Sequence, residues 1–245
     1  MLKKTILALA GILLVLGACS DSDRNINSPN YTVYGSGNLI AETIDVSSFS
    51  SIVVSTVARV NLTQGENQEV VLTVDDNVRE YIKFTVYNGQ FFLNSRDNVN
   101  LQDFTLILDI IIPRMESIVI NGVCDVIGQN QISGNYLYLD LSGVGYINLD
   151  LDYEVVSSQL SGVGNVDLSG SAINHIANLS GVGNLNAFEL VTDSSYVASN
   201  SVGNAHVYVN DYLRAMIGGA GSIYYRGHPV ISQTIEGWGR VVDAN

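Results

Sequence analysis

Asp150 and Asp152 stand two residues apart in a stretch that alternates apolar and polar side chains. On an extended strand both carboxylates point to one face, about 7 Å apart. Glycoside hydrolysis asks for two carboxyl groups separated by roughly 5–10 Å, so the pair is the first candidate for chemistry. Eight further acids lie between Arg114 and Arg214: Glu116, Asp125, Asp140, Glu154, Asp167, Glu189, Asp193 and Asp211. The same stretch has no Lys or Arg. A polysaccharide lyase needs a cation against the acid group of its substrate and a basic side chain to take the proton, and neither is supplied here. The acids are read instead as a solvated face that discourages sheet-edge pairing, with no catalytic residue among them.

Other constellations are equally thin. His175, His206 and His228 fall at different offsets of the repeat described below, so they do not converge as metal ligands. Two cysteines exclude a disulfide framework and a cysteine-built zinc site. Cys124 has no Lys, Arg or His neighbour in sequence to lower its pKa and reads as a small buried hydrophobe. There is no phosphate-binding Gly-rich loop and no nucleophile elbow, so no cofactor and no metal are expected. Aromatic residues carry the one hint of a ligand. Tyr208, Tyr212, Tyr224 and Tyr225 crowd the last part of the chain, where exposed rings could stack on sugars or anchor a protein.

The elements that must position these residues are set by an internal repeat. Leu141-Ser-Gly-Val-Gly-Tyr-Ile-Asn-Leu149 recurs as Leu160-Ser-Gly-Val-Gly-Asn-Val-Asp-Leu168 and as Leu179-Ser-Gly-Val-Gly-Asn-Leu-Asn-Ala187. Weaker copies surround Asn121-Gly122, Ser201-Val-Gly203, Gly219-Ala-Gly221 and Gly237-Trp-Gly239. The first position recurs at 122, 143, 162, 181, 201, 219 and 237, in steps of 21, 19, 19, 20, 18 and 18. Apolar residues alternate on both sides of each glycine pair, as at Leu137, Leu139, Leu141 and at Ile147, Leu149, Leu151. That is the period of a strand, not of a helix. Each unit therefore reads as strand, glycine corner, strand and turn. About 19 residues make one coil of a β-solenoid, with coils stacked about 4.8 Å apart.

Stacking then fixes columns. Val126, Ile147, Val166, Leu185, Ala205, Ile223 and Val241 form one apolar column, and Asn165, Asn184 and Asn204 an amide ladder just after the corner. Gly143, Gly145, Gly162, Gly164, Gly181 and Gly183 are assigned as structural corner residues supplying positive φ. Val123, Val144, Val163, Val182 and Val202 are expected to point inward at the corner. Their column ends in Trp238, read as a cap folded over the last coil.

The less regular first half is expected to begin the solenoid and close its end. Val70–Val74 and Phe84–Leu93 read as strands, with a hairpin at Asn88-Gly89. Asp76–Tyr81 reads as one helical turn capped by Asp75 or Asp76, and Leu106–Ile112 as a strand buried on both faces.

The chain has 245 residues, 47% hydrophobic and only 14% charged, with 23 Gly and 3 Pro. Its formal net charge of −13 would be repelled by phosphate backbones, which excludes nucleic acid as a natural partner. Lys3 and Lys4 precede an apolar run, Thr5 to Leu16, too short to span a bilayer. Leu16-Gly17-Ala18-Cys19 follows and resembles a bacterial lipobox. The resemblance implies a signal peptide over 1–18, lipidation at Cys19 and a membrane partner through that lipid. Residues 19–30 then read as a polar tether, and 31–245 as a single β-solenoid domain, irregular over 31–114 and regular over 115–243.

The Ser-Gly-Val-Gly-Asn units behind the lipobox, the segments at 145–148, 164–167 and 183–186, and the runs Ile52–Gly65 and Asp75–Leu93 resemble the putative auto-transporter adhesin family with the head GIN domain. The resemblance covers about residues 34–242 and departs from the pattern at Ser201, Ala220 and Trp238. It implies an all-β, right-handed parallel β-helix and a role in adhesion, and it carries over no catalytic or binding residue. The expected function is a non-catalytic, lipid-anchored β-solenoid of the cell envelope, in the outer membrane of a Gram-negative bacterium, displaying a surface for a glycan or protein ligand. The alternative is a carbohydrate-active β-helix enzyme.

Overall fold

Alternating apolar residues separated by glycine corners fold into parallel coils in the computed structural model, which describes residues 31–245. The expected signal peptide over 1–18, the expected lipidation site Cys19 and the expected tether over 19–30 lie outside the described residues. The described chain is all-β, a solenoid of about seven turns with coils of about 19 residues. Its helical content is one 3-10 turn at Arg79–Tyr81.

The regular coils run through β10 (Ser117–Ile120), β11 (Val123–Gly128), β12 (Ile132–Leu141), β13 (Val144–Leu160), β14 (Val163–Leu179), β15 (Leu185–Ser199), β16 (Ala205–Ile217), β17 (Ile223–Arg226), β18 (Val230–Ile235) and β19 (Val241–Asp243). Nine strands precede them: β1 (Tyr31–Tyr34), β2 (Leu39–Thr43), β3 (Ser51–Val54), β4 (Val57–Gln64), β5 (Glu69–Asp75), β6 (Ile82–Tyr87), β7 (Gln90–Ser95), β8 (Val99–Gln102) and β9 (Leu106–Ile112).

The apolar column lies in register as the repeat requires. Val126 pairs with Ile147, Ile147 with Val166, Val166 with Leu185, Leu185 with Ala205, Ala205 with Ile223 and Ile223 with Val241. All but the half-buried Val241 are fully buried. Burial of each larger aliphatic side chain is worth about 1.5–3 kcal/mol, so the columns are the main source of stability. The column continues backwards through Val60 to Leu108.

That continuation reveals a spatial order different from the chain order. β3–β4 stacks between β7–β9 on one side and β10–β11 on the other. The chain lays down β3–β4, drops past it to build β7 and β9, then crosses back over it to start the regular coils. Antiparallel β6 on β7, and β5 and β2 beyond β9, complete this end of the sheet. The hairpin turn falls at Asn88 (φ 49°) and Gly89 (φ 73°), both left-handed.

Five expectations change. Val123, Val144, Val163, Val182 and Val202 point outward, not inward. The alternation does not reset at the corner: with Leu141 and Ile147 inside, the even-numbered Val144 must face solvent. Trp238, at the end of that column, is 93% exposed and caps nothing. Of the six corner glycines only Gly164 (φ 145°) and Gly183 (φ 155°) have positive φ. What all six share is crowding, because a Cβ on any of them would overlap backbone of the neighbouring coil. Finally, Leu106–Ile112 buries one face only, with Asp109 exposed, and no side chain caps the turn at Arg79–Tyr81. Asp75 accepts instead from the Thr105 N–H at 2.7 Å, and Asp76 from Ser36 and Asn38.

Candidate functional site

On the face that follows the glycine corner, outward residues of successive coils stack into a polar ladder. Asn148 pairs with Asp167, Asp167 with Asn186, Asn186 with His206 and His206 with Tyr224. Beside it the amide ladder ties coil to coil, with Asn165 Oδ1 accepting from the Asn184 N–H, Asn184 Oδ1 from the Asn204 N–H and Asn204 Oδ1 from the Ser222 N–H, each at 2.9 Å. These bonds lock the register of the ladder face.

A bulge turns this face into a groove. The pairing of β14 with β15 slips after Asp167, and that of β15 with β16 skips from Ala187 to Val191. Phe188, Glu189 and Leu190 are thereby left without partners in the next coil. Leu190 folds into the core, while Phe188 and Glu189 stay at the surface. Bulges commonly re-aim side chains beside functional sites. The resulting groove, about 490 Å³, is lined by Asn148, Asp167, Leu168, Ser169, Asn186, Phe188, Glu189 and His206. Its aromatic wall is a pile: the Arg226 guanidinium lies over Phe188 at 4.2 Å, the Phe188 ring meets His206 edge-on at 5.0 Å, and His206 stacks on Tyr224 at 5.1 Å. Arg226 also reaches Glu189 at 3.7 Å.

The polar groups of the ladder form one directed chain. Asp167 accepts from the Tyr146 hydroxyl and from Asn186 Nδ2 at 2.7 Å. With its amide nitrogen so engaged, Asn186 presents Oδ1 to His206 Nδ1 at 3.1 Å. That oxygen can only accept, so His206 carries its proton on Nδ1 and Nε2 is left as an acceptor. Burial, with a smaller contribution from Arg226, outweighs the backbone hydrogen bond at Leu185 and lowers the His206 pKa. The hydrogen bond to Asp167 pushes Tyr146 up to about 12 and keeps it a donor.

The chemistry available is recognition by hydrogen bonds and stacking. Asp167 and Glu189 do line one groove, as a hydrolase would require. Asp167 is committed to two donors, however, and the Glu189 side chain is 80% exposed, without the apolar burial that keeps a general acid protonated. Asp150 and Asp152 are exposed on β13, bonded to Gln131 at 3.3 Å and to Ser171 at 3.0 Å. Among the described residues no three His, Cys, Asp or Glu groups are placed to hold a metal ion.

The remaining candidates scatter. Tyr224 ends the ladder, and Tyr208 lies in the neighbouring outward column that runs on to Arg226. Tyr225 turns inward against the core, and Tyr212 sits against Tyr196 at 6.1 Å, away from the groove. His175 is buried, His206 lies on the ladder and His228 is exposed. Cys124 is buried, and burial with the nearby Asp125 pushes its thiol up to about 12. Sequence reasoning missed Phe188 and Arg226. The one available signal was the 20-residue step between 181 and 201, longer than the 19-residue step before it and the 18-residue step after it.

The chain is similar to a crystal structure described as a putative adhesin from Bacteroides fragilis NCTC 9343, with 28% identity, a TM-score of 0.83, and coverage of 85% of this chain and 98% of that one. It shares its fold with a putative lipid binding protein from Parabacteroides distasonis ATCC 8503, at 18% identity and a TM-score of 0.67, covering 86% of this chain and all of that one. A putative adhesin from Parabacteroides merdae ATCC 43184 shows the same fold at 18% identity and a TM-score of 0.61, covering 86% and 99%. None of the curated proteins matches the chain. The family model described as "Putative auto-transporter adhesin, head GIN domain" matches residues 48–229, and the chain, a β-solenoid over that span, belongs to this family.

Proposed function

We propose that this chain is a non-catalytic, lipid-anchored protein of the cell envelope that binds an extended, uncharged glycan along the ladder face. The observation that carries the reading is the groove at the Phe188 bulge. It offers amide, carboxylate and imidazole groups on successive coils beside an aromatic wall. Coils repeat at about 4.8 Å, close to the advance of one sugar ring in an extended chain, so successive residues of a polysaccharide would meet equivalent rungs. The adhesin description of the family and of its solved relative supports a binding role. The sequence Leu16-Gly17-Ala18-Cys19 supports the anchor.

Asn186→Ala removes the link between Asp167 and His206 at an exposed position, so the fold should be kept. On an array of neutral glycans, binding should weaken about tenfold, the equivalent of roughly one hydrogen-bonded contact. Unchanged binding would move the site elsewhere. The hydrolase alternative rests on Asp167 and Glu189 sharing the groove, and a polysaccharide turnover screen lost in Glu189→Gln would favour it.

The anchor has its own test. Among the described residues no helix is long and apolar enough to cross a bilayer. Cys19→Ala should therefore shift the protein from the membrane fraction to the soluble one. Retention after a carbonate wash would count against lipidation.

A further inference from the structure

The outward valines form a ridge that the groove does not use. Val57, Val123, Val144, Val163 and Val182 stack in register, and Val202, Ala220 and Trp238 continue the line. The valines are 46–69% exposed and Trp238 is 93% exposed. Six β-branched apolar side chains and a tryptophan in one solvent-facing line are not scattered surface residues, and a contiguous patch of this kind marks an interaction site. On either side of the ridge the next outward residues are mostly short and polar, Ser142, Ser161 and Ser180 on one flank and Asn165, Asn184 and Asn204 on the other.

We propose that this ridge is the contact between two copies of the chain, packed side by side about a two-fold axis parallel to the solenoid. Charge selects this partner and this orientation. The chain carries 24 acidic and 11 basic residues, so two copies repel over most of their surfaces. The five central rungs of the ridge and both their flanks, from Ser142 to Ser222 at the corners, are uncharged. At the Trp238 rung the flanks carry Glu236 on one side and Arg240 on the other, both exposed. A two-fold axis along the ridge sets each flank against the opposite flank of the partner at the same rung. Glu236 of each copy then meets Arg240 of the other, and the two tryptophans adjoin. An antiparallel pair would instead set Glu236 against Ser55, with no basic partner, and bring Arg240 to the end of the same flank where Arg59 and Asp125 stand in register. The ridge and its flanks expose on the order of 800 Å² per copy, the size of a standard interface. Such an interface is isologous and closes at a dimer.

The arrangement predicts that every rung meets itself. In the full chain purified in detergent, Val144→Cys, Val163→Cys and Val202→Cys should each form a disulfide-linked dimer. Wild type, with Cys19 and the buried Cys124, gives the background, and Asn178→Cys on another face should not exceed it. Val163→Asp should weaken dimerisation at least 100-fold in sedimentation while leaving the melting temperature unchanged at dilutions where wild type is itself monomeric. Glu236→Arg should weaken it too, and Glu236→Arg with Arg240→Glu should restore it. Wild type that sediments as a monomer at every concentration overturns the proposal. So does cross-linking at one rung only, or ridge variants that cross-link no better than Asn178→Cys. Binding of monomeric wild type to phospholipid vesicles, lost in Val163→Asp, would assign the ridge to a bilayer instead.

Discussion

Gly164→Ala is expected to destabilise the protein by about 4 kcal/mol or more, a large loss for one added methyl group. Two causes act together. Gly164 has φ 145°, a conformation L side chains rarely adopt, and such strain costs of order 1–3 kcal/mol. In addition, a Cβ there would overlap the Gly145 carbonyl of the coil below. Relief requires parting β13 from β14, which breaks backbone hydrogen bonds in the middle of the regular coils. The adjacent Val163→Ala removes only half-exposed atoms and should change stability by less than about 0.5 kcal/mol. Gly162→Ala separates the two causes, since Gly162 shares the crowding without the positive φ. Chemical denaturation of the three variants should place Gly162→Ala near Gly164→Ala if crowding dominates. A Gly164→Ala midpoint equal to that of wild type would show that the coils can part at no cost.

The second large effect is an acid lability centred on His175. The ring is fully buried, and burial alone lowers its pKa from 6.5 to about 4. Ser158 Oγ lies 3.1 Å from Nε2, while Nδ1 has no hydrogen-bond partner. The neighbours in register are Val156 and Ser195, neither charged. Because the folded pKa is depressed, the unfolded chain takes the proton first as pH falls. The contribution is intact above pH 6.5 and declines from there to about pH 4. The loss approaches about 3 kcal/mol, at 1.36 kcal/mol per pKa unit. His175→Leu should abolish this part of the pH dependence. At pH 7 it removes a buried polar atom that lacks a partner but orphans the buried Ser158 hydroxyl, so the pH dependence and not the absolute stability is the readout. Parallel stability–pH curves for variant and wild type between pH 7 and 4 would refute the assignment. A gap that changes in the variant's favour by about 3 kcal/mol supports it.

The repeat was legible because stacking forces equal offsets to share a column. The period, the apolar column from Val126 to Val241 and the Asn165–Asn184–Asn204 ladder all follow from that one constraint. The direction of the valines was misread at the corner. The strand alternation runs straight through the glycines and carries the valines to the outer face. Parity counted from Leu141 to Ile147 already placed Val144 outside. The ladder column of Asn148, Asp167, Asn186, His206 and Tyr224 was readable from offsets alone, but the groove was not.

What the sequence determined is one-dimensional: coil length, register and which residues share a column, because each coil touches only its neighbours. The tertiary structure decided three things the repeat does not contain. One is the order of the first coils, since β3–β4 lies between layers formed later in the chain and long-range pairing leaves no local mark. Another is the groove, where an extra residue at the Phe188 bulge breaks the register and lets side chains from four coils converge. The third is the reason for the glycines, which at Gly143, Gly145, Gly162 and Gly181 is the space left by an adjacent backbone and not a dihedral angle. Packing against the next coil is invisible to local propensity, and it is there that the site and the ridge are made.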